Sequence, residues 1–166
     1  DGEHRRFMCV DKQRDHFWCI VRAFRVDGSS MLLHESRPLT WETLDAIQQQ
    51  FDVMPRCVSK IEGAQAGSDG LKCAYFFFSN EGIKDKLASL RQADATPKWE
   101  VARDVSEDYR KQMLSEMKKD VTNSKTKQVE QRWVRIGGRP NHLWDCECIA
   151  LASAMLAGVL PIGAES

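Results

Sequence analysis

Three carboxylates stand where chemistry could be done: Asp11, Glu62 and Asp145. Asp11 closes the apolar run Phe7-Met8-Cys9-Val10, and Glu62 closes the alternating stretch Arg56 to Glu62 ahead of Gly63. Asp145 falls in the first turn of a helix that begins after Asn141. Strand ends are where α/β folds place their chemistry. With the first and fourth strands as parallel neighbours, Asp11 and Glu62 emerge side by side at one edge of the sheet, and Asp145 can swing over the same edge. Carboxylates converging on one point repel unless a cation sits between them. Hard oxygen donors suit Mg²⁺ or Mn²⁺, and two such ions can activate water and stabilise the leaving oxygen in phosphodiester hydrolysis. A chain with 24 acidic residues also puts some at strand ends and helix starts for capping alone.

The neighbours of these residues divide by geometry. His142 is three positions before Asp145 and shares its helical face, so it can orient a ligand or relay a proton. Glu147 lies two positions beyond, roughly 200° around the helix, and is placed to orient a neighbour or pair with a basic residue. Lys60 shares the face of Glu62 and can meet a phosphate, whereas Lys12 points to the face opposite Asp11. The net charge of zero excludes a uniformly basic coat protein but conceals an asymmetry. From Arg110 to Arg139 there are nine Lys or Arg against three Asp or Glu, a net +6 that leaves −6 on the rest. Lys118, Lys119, Lys125, Lys127, Arg132, Arg135 and Arg139 make a basic arm leading to Asp145, fit for sequence-independent phosphate binding.

The elements that must position these groups follow from periodicity. Phe7–Val10, His16–Val26 and Met31–His34, separated by polar turns and Asp27-Gly28, predict a three-strand antiparallel meander. Thr40 caps an amphipathic helix carrying Trp41, Leu44, Ile47 and Phe51. Arg56–Glu62 is a fourth strand. Leu71–Phe78 reads as a helix after a Gly-rich turn, with a second weak helical piece at Ile83–Leu90. Trp99–Val101 is a short strand. Ser106 caps a helix from Glu107 to about Lys119, with Tyr109, Met113 and Met117 on one stripe. A strand at Gln128–Ile136 precedes Gly137-Gly138, and Asn141 caps a last helix, His142 to about Ala157.

At 166 residues, 42% hydrophobic and 29% charged, the chain reads as one globular domain, residues 1–166, with flexible ends at 1–5 and 161–166. Its first residues look like a cut from a longer polypeptide. The uncharged stretch Ile149 to Ala164 is 16 residues and broken by Pro161, which predicts a buried helix rather than a membrane span. The six cysteines, within apolar stretches, predict reduced buried thiols; Cys146-x-Cys148 lacks the spacing and second pair of a zinc site.

The segment Arg5 to Trp18, the strand Val21-Arg22-Ala23-Phe24 with Gly28-Ser29-Ser30, and the closing Pro140-Asn141-His142-Leu143-Trp144-Asp145-Cys146-Glu147 resemble the nuclease domain of the large terminase subunit of tailed bacteriophages and prophages, in its lambda-type branch. Leu39-Thr40-Trp41-Glu42 and Val105-Ser106 to Glu116 are similar in kind. The resemblance implies an RNase H-like fold: a mixed sheet in which a meander is followed by parallel strands, with helices on both faces. It implies a metal-dependent endonuclease that cuts concatemeric double-stranded DNA in the cytoplasm of the bacterial host. Asp11 matches the first-strand ligand and Asp145 the closing ligand, while Glu62 stands where the branch more often has Asp. No Gly-x-x-x-x-Gly-Lys-Ser/Thr loop occurs, so an ATPase domain is expected N-terminal to this one, with the small terminase subunit and the portal as partners. The alternatives are another RNase H-like nuclease, a resolvase or an RNA–DNA hybrid cleaver, and a degenerate DNA-binding or docking module.

Overall fold

The computed structural model describes residues 2–53, 56–59 and 77–161. Strands β1 (Glu3–Lys12), β2 (Phe17–Arg25) and β3 (Ser30–Ser36) form the expected antiparallel meander. Its second turn is held by the Asp27 carboxylate, which accepts from the Ser29 amide and hydroxyl at 2.9 and 2.6 Å. Gly28 in that turn has φ +80°, and a Cβ there would stand 2.8 Å from Leu160. Only glycine fits both the dihedral and the space.

Helix α1 (Trp41–Gln50) follows, capped as expected by Thr40, whose side chain accepts from the Thr43 amide. Strand β4 (Arg56–Val58) then runs parallel to β1, with Cys57 beside Cys9 and Val58 beside Val10. β1 and β4 are therefore parallel neighbours, as expected. Beyond helix α2 (Asn80–Leu90), strand β5 (Trp99–Glu100) pairs parallel to β3 and completes a five-stranded mixed sheet in the order β4-β1-β2-β3-β5.

Two apolar layers flank this sheet because alternate residues face opposite ways. Met8, Val10, Phe17, Cys19 and Val21 pack with Leu44 and Ile47 of α1. Phe7, Cys9, Trp18, Ile20 and Phe24 pack on the other face under α2, helix α3 (Glu107–Met113) and helix α4 (His142–Leu156). The last helix is buried on nearly every side, as its uncharged run predicts, with Leu143, Trp144, Cys146, Ala150 and Leu151 all in the core. Among the described residues no helix is long and apolar enough to cross a membrane. The five described cysteines are free.

Two expectations are corrected. The helix after the Ser106 cap stops at Met113, and Glu116–Thr122 is a strand, β6, paired through seven residues with β7 (Val129–Arg135) in a separate two-stranded sheet. The Ser115 hydroxyl donates to the Gln112 carbonyl at 2.6 Å and competes with helix continuation. Val121 and Thr122 favour a strand once a partner lies alongside. Asn141 begins α4 but caps nothing with its side chain. The helix expected at Leu71–Phe78 falls outside the described residues except for Phe77 and Phe78, which belong to no helix.

Candidate active site

Asp11 sits at the end of β1, buried on the α4 face of the sheet. Its carboxylate is hydrogen-bonded on both oxygens. Oδ1 accepts from the Ser59 hydroxyl at 2.9 Å, and Oδ2 from Gln13 Nε2 at 2.7 Å. His142 Nδ1 also lies 2.8 Å from Oδ2, across 131 positions of sequence. The His142 ring stacks on Trp18, 5.9 Å between centroids and 13° between planes, and Trp18 is the cross-strand partner of Asp11. The imidazole is thus fixed from two directions, by the Asp11 carboxylate and by the Trp18 ring. Ser59, which follows β4 directly, donates its amide to the Val10 carbonyl and receives the Lys12 amide on its hydroxyl. This locks the ends of β1 and β4 together.

One turn along α4, Asp145 faces the same region. Its amide completes the first helical turn by bonding the Asn141 carbonyl at 2.9 Å. The Asn141 side chain bridges two carboxylates, donating to Asp145 Oδ2 at 3.0 Å and to Glu116 Oε1 at 2.7 Å. Arg135 donates to Asn141 Oδ1 at 2.6 Å and so fixes which way the amide points. Lys84 donates to Glu116 Oε2 at 2.6 Å and stands 4.0 Å from Asp145 Oδ1. Burial pushes the Asp145 carboxyl up to about 6; the Lys84 cation opposes that rise, while Glu116 and Asp11 add to it. The charge of Asp11 therefore reaches Asp145 across the site.

Glu147 occupies another position altogether. It is fully buried and accepts from Arg22 Nε and Nη2 at 2.9 and 2.8 Å, from Tyr109 Oη at 2.6 Å and from Trp99 Nε1 at 3.2 Å. The Arg22 guanidinium also lies over the Trp99 ring, 4.2 Å from its centroid, and donates to Ser30 and to the Glu100 carbonyl. The expectation that Glu147 turns away from Asp145 and pairs with a basic residue is met. Burial, and then the Glu147 charge, hold the Tyr109 hydroxyl well above its ordinary range, so it remains a donor.

Glu62 and Lys60 lie outside the described residues. Of the basic arm, Lys125 and Lys127 are exposed in the β6–β7 turn, and Arg139 is exposed in the loop before α4. Arg132 is tied to Glu130 at 2.6 Å, and Arg135 serves Asn141. Glu116 and Lys84 were not anticipated. Local periodicity places Glu116 in a helix and Lys84 in a weak helical piece with nothing opposite it. A polar turn followed by a strand was visible at 122–136, and such a strand needs a partner. That requirement was the available signal for β6.

Among the described residues, no group of three or more His, Cys, Asp or Glu side chains is arranged to hold a metal ion. Asp11 and Asp145 both offer hard oxygen donors to this edge, and burial raises the carboxyl of Asp145, the nearer to the surface, to about 6. Mg²⁺ is commonly held by one or two carboxylates, with water and substrate phosphate completing its shell. The donor set fits such an ion.

The family model for "Terminase large subunit gpA, endonuclease domain" matches residues 55–162. That span contains β4, the β6–β7 hairpin and the Asp145 helix, while Asp11 precedes it. No curated protein and no solved structure matches.

Proposed function

Because the chain belongs to the terminase large subunit endonuclease-domain family, whose role is nucleolytic in DNA packaging, we propose that this domain is an RNase H-like, divalent-metal-dependent endonuclease acting on concatemeric double-stranded DNA. The observation that carries the proposal is the convergence of Asp11 and Asp145 on one edge, with His142 joined to Asp11 from the helix that bears Asp145. Support for the fold assignment is the meander β1-β2-β3 with β4 parallel beside β1.

Asp11 and Asp145 would hold Mg²⁺ or Mn²⁺, in a two-ion site, with Glu62 as the remaining ligand. When bound, the ions lower the pKa of water and stabilise charge on phosphate oxygens. The chain's own groups prepare this chemistry. His142, Ser59 and Gln13 fix the Asp11 carboxylate, and Asn141, itself aimed by Arg135, fixes that of Asp145. Lys125, Lys127 and Arg139, with Arg132 and Lys60, are the proposed contacts to DNA phosphates. In the intact protein, an N-terminal ATPase domain, the small terminase subunit and the portal would direct and time cutting in the host cytoplasm.

Supercoiled plasmid incubated with Mn²⁺, Mg²⁺ or EDTA tests the reading. Nicking and linearisation are expected with either metal, none with EDTA and none from Asp11→Ala, Glu62→Ala or Asp145→Ala. His142→Ala should cut about 10–100-fold more slowly, the usual effect of losing a group that orients a metal ligand. Activity retained in Glu62→Ala would remove Glu62 from the site. A folded chain that binds DNA but fails to cut with either metal would be a docking module instead.

A further inference from the structure

Lys84 is a charged residue on the core face of α2, flanked there by buried Ile83 and Leu87. Its side chain is 6% exposed, and that of Glu116 is 5% exposed. Lysine is seldom buried this deeply without a partner that requires it. The partner is a facing pair of carboxylates. Asn141 holds Glu116 Oε1 and Asp145 Oδ2 on one side, and the Lys84 ammonium closes the other side at 2.6 Å from Glu116 Oε2 and 4.0 Å from Asp145 Oδ1. Both Glu116 oxygens are therefore occupied by donors. Among the described side chains, Asp145 Oδ1 receives no hydrogen bond and has only the distant ammonium before it. It is the oxygen left for ligation.

We infer that Lys84 is the resident counter-cation of this site: its ammonium holds the Glu116–Asp145 pair together in the metal-free protein and competes with a divalent ion for Asp145. The inference rests on the proposed role of Asp145 as a metal ligand. Two like charges fixed close together in a partly dry setting repel strongly, and the repulsion is relieved by whichever cation is present. Lys84 lies on α2, Glu116 on β6 and Asp145 on α4, so the ammonium also pins together three elements that meet at the site. Lys84 and Glu116 are positioning residues, because they reach the proposed ion through Asp145. Competition of two cations for one carboxylate is a coupling between them, and it is reciprocal.

Thermal unfolding and calorimetric titration of the full chain with MnCl₂ test this without recourse to cleavage. Lys84→Gln should lower the metal-free melting temperature by at least about 4 °C, raise the Mn²⁺-induced gain above that of the unaltered chain, and tighten Mn²⁺ binding by about tenfold. Glu116→Gln should act in the opposite sense on the metal, since Lys84 is then left to Asp145 alone, with a smaller Mn²⁺-induced gain and weaker binding. The double variant, which faces two amides, should recover most of the metal-free stability lost in Lys84→Gln. Equal destabilisation of Lys84→Gln with and without Mn²⁺, or an unchanged Mn²⁺ affinity in Glu116→Gln, overturns the inference while leaving the metal site standing. If Lys84→Gln does not fold, the Glu116→Gln titration decides alone. Absence of any Mn²⁺ stabilisation in the unaltered chain overturns the metal reading and this inference together.

Discussion

Asp145 concentrates the electrostatic conflict of the site. Its carboxyl titrates near 6, foremost because it is withdrawn from water, and further because Glu116 and Asp11 lie close. If Asp145 is the metal ligand proposed, a proton and a metal ion compete for the same oxygens, and metal affinity follows its ionisation. Mn²⁺ affinity is expected to be level above about pH 7 and to fall toward tenfold per unit below about pH 6. Calorimetric titration across that range checks it; a fall that begins only near the ordinary carboxylate value of about 4 would refute the desolvation account. The same shift has a defined sign for stability without metal. The folded state holds this proton more tightly than the unfolded state. Its contribution is therefore fully present below the unfolded value, and is lost as pH rises through about 6. Asp11 differs in kind: three side chains hydrogen-bond or adjoin its carboxylate, and none of them was identifiable from its immediate neighbours in sequence except Gln13.

At the scale of elements, α4 does two separate jobs on successive faces. Asp145 reaches the site edge, whereas Glu147, about 200° around, anchors the helix to β2, β5 and α3 through Arg22, Trp99 and Tyr109. The Arg22–Glu147 pair is wholly buried, so removing one partner strands the other charge. Arg22→Met or Glu147→Leu alone should cost about 3–5 kcal/mol, while the double replacement Arg22→Met with Glu147→Leu should cost distinctly less. Chemical denaturation of the three variants measures this, and additive losses would show that the pair is not coupled. The hairpin β6–β7 is the element that local patterning missed. Tyr109, Met113 and Met117 recur at helical spacing, yet Met117 belongs to a strand and is 40% exposed. Seven cross-strand pairs with β7 outweigh that spacing. The inner side of the hairpin packs on α2, where Trp133 and Lys118 both bond Asp85, and its base delivers Glu116 and Arg135 to the site.

Over the whole molecule, zero net charge resolves into a basic hairpin beside an acidic edge. Lys119, Lys125 and Lys127 project from the hairpin, while Lys118 and Arg132 are engaged by Asp85 and Glu130. Neutral replacement of Lys125 and Lys127 together should flatten the logarithmic salt dependence of duplex DNA binding by about 1.8, at roughly 0.9 per phosphate contact, and leave the melting temperature unaltered. An unchanged slope in a binding titration from low to moderate salt would remove the hairpin from the proposed DNA contacts.

The meander, the Thr40 and Ser106 caps and the buried last helix were legible in the sequence because each rests on local periodicity, turn chemistry or a run without charges. The placement of Asp11 at a strand end, of His142 and Asp145 on one helical face and of Glu147 away from it was legible too, since strand ends and helical angles follow from spacing. What tertiary structure alone decided is the company those residues keep. Glu116, Lys84, Asn141 and Ser59 converge on the site from a hairpin, a helix, a loop and the end of β4. Their convergence depends on pairings between segments far apart in the chain, and those pairings leave no mark in the spacing of residues within any one of them.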